Sequence, residues 1–267
     1  MPTLPIIYTK LSNILASPDV TVLMISNIIA EDNVIAGKVL RLANSSFYGF
    51  SRKIGSLQHA VVILGLNEIR NLVLTTSVID AFKDLKSDNA FQIQKFWEHS
   101  LACATASRVL AEAARLTNPE EVFAGGLLHD IGKLIYAFFF PEEFERIVAE
   151  VEDHQLPLIE AEEKILGLSH AKIGTELAAK WHLPPPIVEM IQHHQPEDTT
   201  KYKKEVMAVD IGNSLSIALG IISWGEKQVP IITDKTWGDF GLKITDLEFI
   251  ITRIDKLFRE KVAILQS

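Results

Sequence analysis

A chain of 267 residues, 48% hydrophobic and 22% charged, is long enough to bury one large core or two modest ones. Its 34 acidic and 26 basic side chains leave a formal net charge of -8, which argues against a broad surface for nucleic acid or anionic membrane. The single cysteine, Cys103, excludes an intramolecular disulfide and a multi-cysteine zinc site, and a reducing cytoplasm fits it.

Apolar residues recur at three and four positions over long windows instead of alternating, which predicts an all-α protein. The segments "LPIIYTKLSNILAS", "DVTVLMISNIIAED" and "NVIAGKVLRLAN" each read as a helix, with Asp19 and then Asp32 or Asn33 as N-caps and Pro18 as a break. "SSFYGFSRKIGS" follows as a loop. Asn44, Phe47, Tyr48 and Arg52 could meet a partner there, or pack between helices with Asn44 capping the helix before it. Ser56 caps "LQHAVVILG", Gly65 ends it, and "LNEIRNLVLTTSVIDAFKDL" runs to the polar stretch "KSDNA". A junction near residue 88 therefore divides an N-terminal helical subdomain, 1–88, from a second helical domain, 89–267.

The second domain opens on a long helix from about Phe91 to Leu116, whose stripe of small and apolar residues bears His99 and Cys103. Asn118 as N-cap, Pro119 at the first position and two glutamates in the first turn start a helix predicted to run on through His129, Asp130 and Lys133. Later helices are "PEEFERIVAEVEDH", "LIEAEEKILG", "SHAKIGTELAAKWH", "PIVEMIQHH", "KEVMAVDIGNSLSIALG" and "TDLEFIITRIDKLFREKVAIL". The N-terminus lacks the basic and apolar regions of a signal peptide, and "VMAVDIGNSLSIALGIISW" carries Asp210 and Asn213 near its middle. It reads as a buried helix, and a cytoplasmic chain without a membrane span is expected.

The stretch "GGLLHDIGKLIY", residues 125 to 136, places three ionisable groups in a run that otherwise reads as core. His129 and Lys133 stand four apart and Asp130 and Lys133 three apart, so all three can face one side of a helix. An unpaired carboxylate there would cost several kcal/mol. Two readings compete: an Asp130 to Lys133 ion pair beside a hydrogen-bonded His129, or a bound metal. His99, His170, His193, His194 and Asp210 also lie in strongly apolar helices, where a polar group needs a partner. With His129 and Asp130 they make a set suited to two divalent cations about 3.5 to 4 Å apart sharing a carboxylate. Iron, manganese, zinc, nickel and cobalt all suit such ligands. A Walker-type phosphate loop does not fit, because Leu134 stands where the hydroxyl is needed.

These residues carry a resemblance. His99, the pair His129 and Asp130, and Asp210, the last within "VDIGNSLS", look like the ligand pattern of the HD superfamily of metal-dependent phosphohydrolases. "LLHDIGK", then "SHAKIG", then "HH" is similar to its HD-GYP branch of cyclic-di-GMP phosphodiesterases. That resemblance implies His99, His129, Asp130, His170, His193, His194 and Asp210 as metal ligands, with Lys133 facing phosphate. Gln195 stands where that branch has an acidic residue, no Gly-Tyr-Pro signature follows, and Lys95 replaces a glutamate found in some members. The run "AEDNVIAGKVLRLANSSFYGFSRKIGSLQHAVVILGLNEIRNLVL" is similar almost position for position to the HDOD family, the HD-related output domain of bacterial signalling proteins. That similarity, over about residues 4 to 200, implies an HD-type helical bundle behind an N-terminal helical subdomain.

The function so implied is regulatory: an HDOD module with a retained metal pocket, sensing a nucleotide or phosphate ligand or docking a signalling protein, with no direct nucleic-acid contact. The alternative is a metal-dependent phosphohydrolase or phosphodiesterase acting on a cyclic or linear nucleotide, in which Asp130 bridges two cations and Lys133 stabilises charge on phosphate oxygens. Cys103 reads as packing, and His59, His154 and His182 as surface or packing residues.

Overall fold

Helices begin where a side chain can accept the unpaired N–H groups of a first turn. The computed structural model describes residues 6–15, 17–44, 52–82, 91–195, 198–225 and 229–265, and no strand occurs among them. The opening helices are α1 (Ile6–Leu15), α2 (Val22–Ala30), α3 (Asn33–Ala43), α4 (Leu57–Leu64) and α5 (Leu66–Phe82). Thr21, not Asp19, caps α2, its hydroxyl accepting the Met24 N–H at 3.2 Å, because the helix starts two residues later than its apolar pattern suggests. Asp32 caps α3 through Oδ1, which accepts from Val34 at 2.9 Å and Ile35 at 3.0 Å. Ser56 caps α4, and Gly65, at φ 82°, turns the chain out of it.

Asn44 does more than cap a helix. Its Nδ2 donates to the carbonyls of Leu40 at 2.8 Å and Ile54 at 2.9 Å, and its Oδ1 accepts the Ile54 N–H at 2.7 Å. It thereby ties the two ends of the loop together; the loop's middle, with Phe47 and Tyr48, lies outside the described residues. Ile54 is buried, so Asn44→Ala leaves its peptide groups without that partner. The expected loss is about 1 to 2 kcal/mol, read as a lower midpoint in urea denaturation.

By their own contacts the residues fall into two units, 2–85 with 259–267, and 86–258. The junction expected near residue 88 lies in 83–90, outside the described residues. In the first unit α5 packs on α1, α3 and α4, while α2 packs on α1, α3 and α4. Leu11, Ile25, Ile29, Val39, Ile69 and Val73 are fully enclosed there.

The second unit is built around α6 (Ile93–Ala113), against which α7 (Pro119–Leu128) and α13 (Lys204–Ala218) pack. Close approach of α6 and α7 depends on Gly126, where an added Cβ would lie 2.8 Å from the Ala104 Cα. Then come α8 (Ile131–Phe139), α9 (Pro141–Glu152), α10 (Leu158–Leu166), α11 (His170–Lys180) and α12 (Pro185–Gln192). Helix α11 packs on α8 and α12, and α12 on α7. Helix α14 (Asp234–Phe240), capped by Thr233, is absent from the sequence reading, since seven residues are too few to show a helical period; α15 (Leu247–Leu265) follows.

The helix predicted to run through the His-Asp motif is interrupted there. His129 ends α7, Asp130 at φ -97°, ψ 7° precedes α8, and the Lys133 N–H reaches the Asp130 carbonyl at 2.8 Å. This i to i+3 bond tightens the turn at the two functional residues. The stretch Pro119–Phe139 is long and apolar enough to cross a membrane, yet nearly all of it is buried within its unit, as core helices are.

Candidate metal centre

Four helices deliver side chains to one point. His99 comes from α6, His129 and Asp130 from the turn between α7 and α8, His170 opens α11, and His194 lies just past α12. All five are fully buried, as is Lys133. Asp130 is shared: Oδ1 faces His170 Nε2 at 3.3 Å and His194 Nε2 at 3.5 Å, while Oδ2 faces His129 Nε2 at 3.3 Å and His99 Nε2 at 3.7 Å. The donor atoms thus form two groups, His99–His129–Asp130 and Asp130–His170–His194, within each of which they lie within 4.8 Å of one another.

Each imidazole is turned the same way by its other nitrogen. Nδ1 of His99 lies 2.8 Å from the Ile221 carbonyl, that of His129 2.7 Å from Gly126 O, and that of His194 2.8 Å from Ile191 O. His170 Nδ1 instead meets the Glu162 carboxylate at 2.8 Å. A proton held on Nδ1 leaves Nε2 as the inward-facing lone pair, the tautomer that a metal ligand needs. Nε2 of His129 and Oδ1 of Asp130 are buried and make no hydrogen bond. Orphaned, convergent nitrogen and oxygen donors fit a divalent cation, and these buried groups could hold one.

Metal-free, the groups share protons instead. Lys133 Nζ donates to Asp130 Oδ2 at 2.7 Å, so the ion pair read from the sequence is present within the same cage. Burial alone would raise the Asp130 carboxyl, but His129 and Lys133 outweigh it and hold it well below the usual range. Burial would lower His129, and Asp130 outweighs it to hold this imidazole well above its usual value. His170 is likewise raised against burial, to about 9, chiefly by Glu162. His194, pushed down to about 4 by burial, stays neutral, and its Nε2 accepts the hydrogen bond that protonated His170 Nε2 donates across 3.1 Å. A cation entering the cage would displace protons from His129 and His170.

Two expected ligands lie outside both groups. His193 is half-buried and stacks on Tyr202, with ring centroids 4.5 Å apart. His193 is the C-cap of α12, at φ -123° and ψ 22°, so the chain leaves helical geometry between the two rings, and only His194 reaches Asp130. Asp210 on α13 is half-buried and belongs to neither group; burial pushes its carboxyl up to about 6, with Thr199 pulling the other way. Cys103 is buried, its sulfur 3.8 Å from both Ser107 Oγ and Val209 O and close enough to His129 to act on its proton; His59, His154 and His182 are exposed.

Glu162 went unnoticed in the sequence although a signal was there. Leu158, Ala161, Glu162 and Ile165 fall on one stripe of α10, so the glutamate occupies a position the period reserves for a buried side chain. Buried it is, and it also accepts from the Tyr136 hydroxyl at 2.7 Å.

Known proteins share this arrangement of helices. An HDOD domain protein of Geobacter sulfurreducens is 28% identical, with a TM-score of 0.79 over 96% of this chain and 93% of its own. An inferred phosphohydrolase of Shewanella amazonensis SB2B is also 28% identical, with a TM-score of 0.79 over 99% and 95%. A protein of Treponema pallidum (strain Nichols) is 25% identical across 80% of this chain, which spans 41% of that relative's length. The HDOD domain pattern matches residues 1–196, a stretch that holds α1 to α12 and every residue of the cage, and the chain belongs to the HDOD family.

Proposed function

We propose that this chain is a regulatory module that keeps an HD-type cation cage and acts by sensing a ligand or docking a signalling protein. The observation that carries this reading is enclosure: His99, His129, Asp130, Lys133, His170 and His194 all have no exposure to solvent. A phosphodiester must touch the groups that activate its hydrolysis, and none of these is open to one. A cage closed in this way suits a bound cation that sets the packing of α6, α7, α8, α11 and α12. Partner docking draws support from the first unit, which exposes Leu23 and Met24 on α2, Val34 on α3 and Val62 and Ile63 on α4.

Hydrolysis is the second reading, favoured by the shared carboxylate with a lysine beside it and by the name of the Shewanella relative. Bound here, a pair of divalent cations would supply a more acidic water and neutralise phosphate charge. In that reading Asp130 spans the two positions, the four imidazoles hold them, and Lys133 turns from Asp130 toward a phosphate oxygen.

One experiment separates the two. Protein purified without chelator after growth in iron, manganese, zinc or nickel is assayed for metal content and for turnover of bis-p-nitrophenyl phosphate. The expected result is about two cations per chain and no turnover above a His129→Ala control. Turnover that the control lacks would establish hydrolysis, and a chain without stoichiometric metal in every regime would remove the cation from both readings.

A further inference from the structure

The four imidazoles point Nε2 inward alike but differ in what holds them from behind. His99, His129 and His194 rest on backbone carbonyls, whereas His170 rests on the Glu162 carboxylate. Glu162 is fixed on several sides: Oε1 accepts from Tyr136 at 2.7 Å, and Oε2 accepts the His170 backbone N–H at 2.8 Å. That N–H is the first of α11, one of the donors a helix leaves unpaired, so one carboxylate anchors both the backbone and the ring of His170. Gly167, at φ 70°, and the Ser169 cap reverse the chain between α10 and α11 and bring Glu162 to this spot.

The far side of the cage carries the opposite charge. There the Lys133 ammonium donates to Asp130 Oδ2 at 2.7 Å, the oxygen that His99 and His129 face. A carboxylate behind an imidazole makes it a stronger ligand and attracts a cation, while an ammonium repels a cation and competes for the oxygen. Resting on the reading that the cage takes divalent cations, we infer that its two positions are inequivalent. The Asp130–His170–His194 position fills first, with Glu162 as the positioning residue responsible, and the His99–His129–Asp130 position is weaker because Lys133 engages its shared oxygen.

The test is a titration of the full chain, stripped of metal, with cobalt(II), followed by calorimetry and by visible absorption. Wild type is expected to bind in two steps at least about tenfold apart, and Glu162→Gln to weaken the first about 10- to 100-fold and spare the second. Lys133→Met tightens the second step. His99→Ala removes the weak step and keeps the tight one, which tests the assignment even where Glu162→Gln fails to fold. Two equal steps, a Glu162→Gln change shared by both steps, or loss of the tight step in His99→Ala would overturn the inference. Wild type that takes up no cobalt at all would overturn the cation reading itself, whereas normal uptake with an unaffected Glu162→Gln chain would overturn only the role of Glu162.

Discussion

A chain carrying Asp130→Ala is expected to hold no cation at either position and, metal-free, to be about 3 to 5 kcal/mol less stable than wild type. The metal loss follows because Asp130 alone belongs to both donor groups, one oxygen to each. Two imidazoles remain on each side, too few to hold a cation tightly in competition with water. The stability loss follows from the neighbours: Lys133 is fully buried on the same turn, and the imidazolium of His129 leans on the same carboxylate. Without it, buried positive charge faces buried positive charge. Metal content after gel filtration and urea denaturation followed by circular dichroism measure the two effects separately. A mutant that kept its full metal complement would show that Asp130 is not the shared ligand.

Gly132→Ala is expected to cost about 3 kcal/mol or more, at the upper end of overpacking penalties, without touching any ligand side chain. An added Cβ would lie 2.0 Å from the His170 carbonyl oxygen, 2.8 Å from its carbon and 2.9 Å from the Gly174 nitrogen. These are backbone atoms, which cannot rotate aside as the tip of a side chain can. Relief requires α8 and α11 to separate, and His170 opens α11, so the tight cation step should weaken along with stability. Differential scanning calorimetry should show the midpoint falling by about 6 to 12 °C. Gly37→Ala is the control: nothing lies within 4 Å of its added Cβ in α3, and removing a helical glycine should raise stability by about 0.5 to 1 kcal/mol. Unchanged stability in Gly132→Ala would mean that α8 and α11 do not approach as closely as described.

Much of this molecule was legible from spacing. Ser56, Asp32 and Gly65 mark helix ends by local chemistry, because a cap needs only the residues of one turn. The apolar period of α6 and α7 marked His99, His129 and Asp130 as buried polar groups in need of partners. What misled was the assumption that one period runs unbroken through a motif. The turn at Asp130 and the choice of Thr21 over Asp19 both depend on hydrogen bonds that periodicity does not register.

The candidate ligands divide along the same line. Residue type and burial, both local properties, singled out the polar positions. Direction is not local: His193 and His194 are equal as letters, and only the way α12 ends against α7 and α11 sends one ring inward and the other onto Tyr202. Asp210, a polar residue in an apolar helix that the resemblance also implied, belongs to neither donor group. Glu162 shows the reverse, a charged letter on an apolar stripe that acquires meaning once α10 and α11 fold back to bring it to His170. The amino-acid order alone determined that this chain is helical and that His99, His129, Asp130, His170 and His194 need buried partners, because period and desolvation act within a few turns. Which of them share an atom, and with what charge behind them, was decided by helix packing, since those contacts join residues up to 122 positions apart, as His99 and Ile221 are.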